Sequence, residues 1–228
     1  MSESATDARW PKVLSLAVHE FRTPMTVIGG YLRMLLQERA GPLSEPQRHM
    51  LAEAEKSCGR MSALLAELSD LSGLESGSGR FQRAPIDLRS TLAEAVEGLP
   101  ALSDWPVAID LQLEPGVAIL EGDPLRLRAA FSAVLHALRR ELVSSTTLTI
   151  REQVREVDGR PTSWITIAEP DRIAHVAAAP RLDTFDEWRG GSGLSLGVAR
   201  RVIEAHGGRI WSPGEDAKAG AVIALPHA

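Results

Sequence analysis

Six consecutive residues, His19-Glu20-Phe21-Arg22-Thr23-Pro24, set an imidazole, a carboxylate, a guanidinium and a hydroxyl beside a helix breaker. Imidazole is a nucleophile and proton carrier near neutral pH, and a neighbouring carboxylate supplies a hydrogen-bonding base. Thr23 follows His19 by four residues, so on a helix the two share one face. A hydroxyl there can orient a water toward whatever the imidazole carries. Pro24 removes a backbone donor and bends a helix. A lone histidine on a helix is ordinarily just solvated. The whole cluster beside a built-in bend argues for chemistry at His19.

The elements around this cluster are helical. Leu14, Val18, Phe21, Met25, Ile28, Leu32 and Leu35 recur in alternating steps of four and three, the stripe of a helix packed on helices. Gly41-Pro42 breaks the stripe, and Ser44 with Gln47 reads as a capping box that opens a second helix. Met50, Ala54, Met61, Leu64, Leu68 and Leu71 give that helix its own stripe. A single hairpin cannot bury both stripes well, whereas two hairpins make a four-helix bundle, so a homodimer is expected.

Ser72–Pro85 is rich in Ser and Gly and reads as linker. The pattern then changes. Short strands are expected at Ile86–Leu88, Val107–Glu114 and Ala118–Leu120, and a helix at Leu88–Glu97. A longer helix is expected at Asp123–Leu142, with Asp123 as cap and Pro124 in the first turn. Two strands flank the turn signal Asp158-Gly159. A helix over Ser192–His206 stops at Gly207-Gly208, and two strands close the chain. The mixture implies an α+β sandwich, with helices on one face of a mainly antiparallel sheet. The domain bounds read as 8–76 for the hairpin, 77–85 for the linker and 86–228 for the sandwich.

The bulk numbers narrow the classes. The chain has 228 residues, with 30 acidic against 25 basic side chains and a formal charge of −5. No basic footprint for nucleic acid is present. The single cysteine, Cys58, excludes a disulfide framework or a cysteine zinc site within one chain. No apolar run reaches the roughly 20 residues that span a bilayer, and the first ten carry no signal pattern. A cytoplasmic protein with no membrane partner is expected.

Leu16–Tyr31, LAVHEFRTPMTVIGGY, closely resembles the H-box of bacterial histidine kinases, without a gap. The resemblance implies a dimerisation and histidine-phosphotransfer bundle. It makes His19 the phospho-acceptor, Glu20 the acid that assists transfer and Thr23 a residue that supports phosphatase action. Arg22 and Pro24 complete the motif as structural support. Gly191–Trp211, GSGLSLGVARRVIEAHGGRIW, is similar to the second glycine box of the same family's ATP-binding domain. Gly191, Gly193, Leu194 and Leu196 hold their places there, and Phe185–Trp188 looks like the phenylalanine-containing box. The fold expected by resemblance is therefore a helical hairpin followed by a sandwich of the histidine-kinase ATPase type.

Other elements depart from the family pattern. Ala133 and Ala137 stand where the family has asparagines, the second of which would coordinate Mg²⁺; alanine has no ligand oxygen. Arg140 takes the place of the usual lysine. Glu169 stands for the aspartate that recognises adenine, followed by Asp171 and Ile173 in place of two glycines. His136 reads as a packed or surface residue, since Mg²⁺ prefers oxygen. No metal ligand set is assigned. The leading expectation is a phosphorelay protein that takes a phosphoryl group on His19 from a response-regulator receiver domain and passes it on. That reaction needs no cofactor of this chain's own. The alternatives are a soluble histidine kinase that still uses ATP and Mg²⁺, with Glu141 or Asp171 as substitute ligands, and a non-enzymatic regulator that docks on a kinase or a response regulator.

Overall fold

The computed structural model describes residues 10–77, 79–102, 106–179, 181–189, 193–213 and 220–228. The chain divides after Gly79 into two compact units.

The first unit is the helical hairpin of α1 (Trp10–Leu36) and α2 (Glu45–Glu75). The Gln47 side chain accepts from the Ser44 backbone N–H at 2.9 Å, as the capping-box spacing predicts. An Arg48–Glu38 ion pair closes the turn. Val18 and Met25 on α1 meet Cys58 and Ser72 on α2 as the buried side chains. The Ser72 hydroxyl donates to the Pro11 carbonyl at 2.7 Å and ties the open end shut. A Cβ added at Gly29 would lie 3.4 Å from Cys58 Sγ, so the helices run close there.

On α1 the expected stripe supplies the covered positions Leu14, Val18, Met25, Leu32 and Leu35, but on α2 the seam is not the stripe that the sequence suggests. On α2 it is lined by Leu51, Cys58, Leu65 and Ser72, while Met50, Ala54, Met61 and Leu64 are exposed. Phe21 and Ile28 on α1 are exposed as well. The apolar residues fall on two faces of each helix. A pattern drawn through the bulkiest residues merges those faces.

The second unit begins with Arg80–Arg83, which lie against the sandwich. The Gln82 N–H donates to Asp123 Oδ2 at 2.9 Å. The Phe81 ring stands edge-on to His206, with centroids 5.3 Å apart. Arg83 and Arg126 lie over the same ring. Next come β1 (Ala84–Asp87), α3 (Leu88–Glu97), β2 (Ala108–Gln112), β3 (Ile119–Gly122) and α4 (Pro124–Leu138). Asp87 and Asp123 cap α3 and α4, each accepting a backbone N–H of the first turn. Helix α4 stops four residues short of the expected Leu142, because Arg139–Glu141 continue only as a turn.

Then follow β4 (Thr147–Val157), β5 (Arg160–Ala168), α5 (Ile173–Ala177), β6 (Leu182–Thr184), α6 (Ser195–Ala205), β7 (Arg209–Pro213) and β8 (Gly220–Pro226). Strands β4 and β5 are joined by a two-residue turn in which Asp158 and Gly159 both have positive φ. The sheet runs β2-β4-β5-β8-β7-β6, antiparallel except at β2–β4, and β1 pairs with β3 apart from it.

One sheet face carries Leu148, Ile150, Ile165, Ile167 and Ile223, all buried, and faces α3. Glu152 lies on this face and is held by Arg89 of α3 at 2.9 Å and by Ser163 Oγ at 2.7 Å. The helices are not confined to that face. Ile173 and Val176 of α5 pack with Ala168 and Val222 on the other one, because the strand alternation brings a second apolar set there.

Candidate functional site

His19 and Glu20 lie mid-way along α1, with side chains 75% and 73% exposed and His19 Nδ1 3.6 Å from Glu20 Oε1. This is ion-pair range, beyond a hydrogen bond. So exposed a pair adds little to folding. With Nδ1 turned toward the carboxylate, Nε2 is the nitrogen left for chemistry. Thr23 is exposed one turn further on. Pro24 sits inside the helix and deprives the Glu20 carbonyl of its usual donor. Thr26 Oγ1 donates to the Arg22 carbonyl at 2.9 Å beside that interruption. The structure thus brings His19, Glu20 and Thr23 together on one accessible stretch of helix.

In the second unit the residues aligned with a nucleotide site have other partners. Glu169 is buried, and its Oε1 accepts from the backbone N–H groups of Val143, Ser144 and Ser145 at 2.8, 2.7 and 3.0 Å. Burial alone would raise this carboxyl; the three N–H groups outweigh it and hold it below the ordinary glutamate value. Ile173 is buried in the apolar cluster with Val176, beside Trp164, Leu182 and Trp211. Ala137 is fully buried. His136 Nδ1 lies 3.2 Å from Arg139 Nη2. Burial, then the charges of Arg139 and Arg140, hold that imidazole below its usual value, so it is neutral at pH 7.

Glu141 is engaged by Arg189, whose Nε lies 2.9 Å from Oε2 and whose Nη1 donates to the Gly220 carbonyl at 2.9 Å. No signal in the sequence marks this clasp, whose partners are 48 residues apart. The Arg89–Glu152 pair left a trace: an acid on the apolar face of a strand requires a buried partner.

Of the second glycine box, Gly191 lies outside the described residues. Gly193 has φ +63, a conformation glycine adopts without strain, and Leu194 precedes the first turn of α6. The rest of the motif serves packing. His206 Nε2 accepts the Asp123 N–H at 2.9 Å, and a Cβ at Gly208 would meet the Ala224 carbonyl at 2.6 Å. Among the described residues no three His, Cys, Asp or Glu gather as a metal site, and no helix is long and apolar enough to cross a membrane.

A helical hairpin that presents an exposed histidine–acid pair, followed by this mixed-sheet sandwich, defines a class of signalling module. Residues 12–77 match the His Kinase A (phospho-acceptor) domain. The circadian input-output histidine kinase CikA of Synechococcus elongatus is 29% identical over 90% of this chain, which spans 28% of that protein. The signal transduction histidine-protein kinase BarA of Escherichia coli is 28% identical over 84% of the chain, which spans 22% of it. Among solved structures, full-length ShkA in complex with AMPPNP superposes with a TM-score of 0.69 at 19% identity, covering 95% of this chain and 45% of that one. The Acinetobacter baumannii histidine kinase AdeS gives 0.55 at 18%, covering 92% and 97%. The phospho-acceptor domain match, together with these relatives and fold neighbours, supports a member of the bacterial sensor histidine kinase family.

Proposed function

We propose that this chain is a phosphotransfer member of the family, working as a dimer with response-regulator receiver domains. The observation that carries the reading is the exposed His19–Glu20 pair on α1. His19 Nε2 attacks the phosphorus of a receiver's aspartyl phosphate. An N–P bond forms, the acyl P–O bond breaks, and the aspartate leaves as carboxylate. Glu20 orients Nδ1–H and stabilises the charge that develops on the ring. The reverse step passes the group to a second receiver. Thr23, one turn away, is placed to hold a water for hydrolysis. The receiver brings its own aspartate and Mg²⁺.

Three features support the view that the second unit has lost or weakened ATP binding. Glu169 is committed to the 143–145 backbone, Ile173 fills its position with a buried side chain, and Arg189 holds Glu141. The residues present do not fit a magnesium nucleotide by the family's pattern. In this reading the sandwich is a docking surface. The second reading, an atypical kinase that still charges His19 from ATP, is favoured by one observation: ShkA, which shares the fold, was solved with AMPPNP.

The test incubates the purified chain with γ-labelled ATP and Mg²⁺, and separately with a phosphorylated receiver domain, alongside H19A and E20Q. Acid-labile label from the receiver alone, absent in H19A and slowed about 10²-fold or more in E20Q, is expected. Label from ATP that disappears in H19A establishes the kinase reading instead. Label from neither donor refutes both.

A further inference from the structure

A groove of about 540 Å³ lies on the sheet face away from α3, at the end that α5 does not cover. This is within the range of small-ligand sites. Its wall is aromatic: Trp164 of β5 and Trp211 of β7 stack with centroids 5.5 Å apart and ring planes 28° from parallel. The register explains the space. Trp164 and Arg209 are the cross-strand neighbours of Ala224 on either side, so a methyl group forms the floor between an indole and a guanidinium. Thr162 and Pro226 make the next row.

The charges are distinctive. Arg160 and Arg209 are exposed at the groove, and among the described residues neither guanidinium has an ion pair or a side-chain hydrogen bond. Elsewhere in the unit Arg89, Arg128, Arg189, Arg200 and Arg201 are each paired with a glutamate, while Arg151 and Arg155 take neutral partners, Gln112 and the Ala177 carbonyl. Asp158 is the one acid in the lining. The chain as a whole has charge −5, so two exposed guanidinium groups against one acid make this groove locally positive. One face of Trp164 is already covered by Arg155, 4.9 Å from its ring.

We infer that this groove binds a planar aromatic anion, its ring against the edges of the stacked Trp164–Trp211 pair and its carboxylate or phosphate between Arg160 and Arg209. Guanidinium matches either acid group with paired N–H donors, and the positive indole edges suit the face of a second aromatic ring. The site is separate from His19 and stands whether or not the proposed phosphotransfer does.

The experiment titrates the full chain with 1-naphthoate, with uncharged naphthalene-1-carboxamide and with AMP, reading the indole N–H signals of each tryptophan by NMR. W164F and W211F assign the two groove signals. Saturable movement of those two signals by 1-naphthoate is expected, with the carboxamide about tenfold weaker and R160Q/R209Q about tenfold weaker again. Both arginines are exposed, so the doubly substituted chain is expected to keep its fold, checked by the unchanged remaining signals. AMP moving the same signals supports the site with phosphate as the acid group, and naphthoate alone supports it with carboxylate. Equal binding of the carboxamide, indifference to R160Q/R209Q, shifts confined to tryptophans other than Trp164 and Trp211, or no saturation by about 10 mM overturns the inference.

Discussion

Glu169 gathers three backbone N–H groups on one oxygen, and this makes it an anchor for the chain that follows α4. Replacing it with alanine leaves three part-buried donors without their acceptor, and a loss of about 1–3 kcal/mol is expected by urea denaturation. Glutamine keeps an acceptor and is expected to cost about 1–2 kcal/mol. The acid response follows from the direction of two shifts. Burial first, with Arg83 and Arg126, holds His206 below its ordinary 6.5, against the opposing pulls of Val202 and Asp123. Glu169 is held below 4.5. For both groups the unfolded chain binds more protons as pH falls, so stability drops on acidification, first below pH 6.5 through His206 and then below pH 4.5 through Glu169. Urea midpoints measured across this range are expected to show a shallower first decline in H206Q, with His136 carrying the remainder, and a shallower second one in E169Q, with Asp123 and Glu204 carrying the remainder. An unchanged profile in either variant contradicts the assignment for that residue. His136 and Glu141 show what single residues in a sequence conceal: each was visible as a polar group near a missing ligand, and each is already engaged by an arginine.

Elements pack through a few buried charges as well as through apolar faces. Arg89 joins α3 to β4 through Glu152, with the Pro115 carbonyl accepting a further donor at 3.0 Å. Removing one partner strands a buried charge, so R89L or E152L alone is expected to cost about 3–5 kcal/mol, and the double substitution less than their sum. A thermodynamic cycle by chemical denaturation checks this; strict additivity would mean that the pair does not couple α3 to the sheet. At this scale much was legible. Helix α3 spans Leu88–Glu97 as expected, and β4 and β5 flank the Asp158-Gly159 turn as expected. The end of α4 was not legible, because Arg139–Glu141 continue an acceptable helical pattern although Arg140 and Glu141 bond only to carbonyls three residues back. The inner seam of the hairpin was obscured for a different reason: Ser72 and Cys58 are buried there while larger apolar residues face outward.

For the whole molecule, the unburied face of the hairpin is the feature with the largest expected effect. Phe21, Ile28, Met50, Met61 and Leu64 are exposed on α1 and α2, more apolar surface than a lone hairpin tolerates in water. Under the proposed dimer they form the centre of a four-helix bundle. F21D combined with L64D is therefore expected to convert a dimer into a monomer by sedimentation velocity, while a similar double change at exposed Val117 and Val143 of the second unit leaves the dimer intact. Retention of the dimer by F21D/L64D would place the contact elsewhere. The two-unit architecture could be read from the change of periodicity near residue 80, because a helical stripe and strand alternation leave different marks. The apolar cluster around Ile173 could not, since it draws Ala168, Val176 and Val222 from three separate elements.

Strand β2 is the sheet's one parallel recruit, and β3 and α4 intervene before its partner β4. Its pairing therefore waits for the intervening chain to be ordered, whereas β4 and β5 pair locally through a two-residue turn. The order of assembly leaves a signature in the finished molecule. In native-state amide exchange, Ala108–Gln112 should open well before β5, so this domain frays from one chosen edge while its centre stays closed.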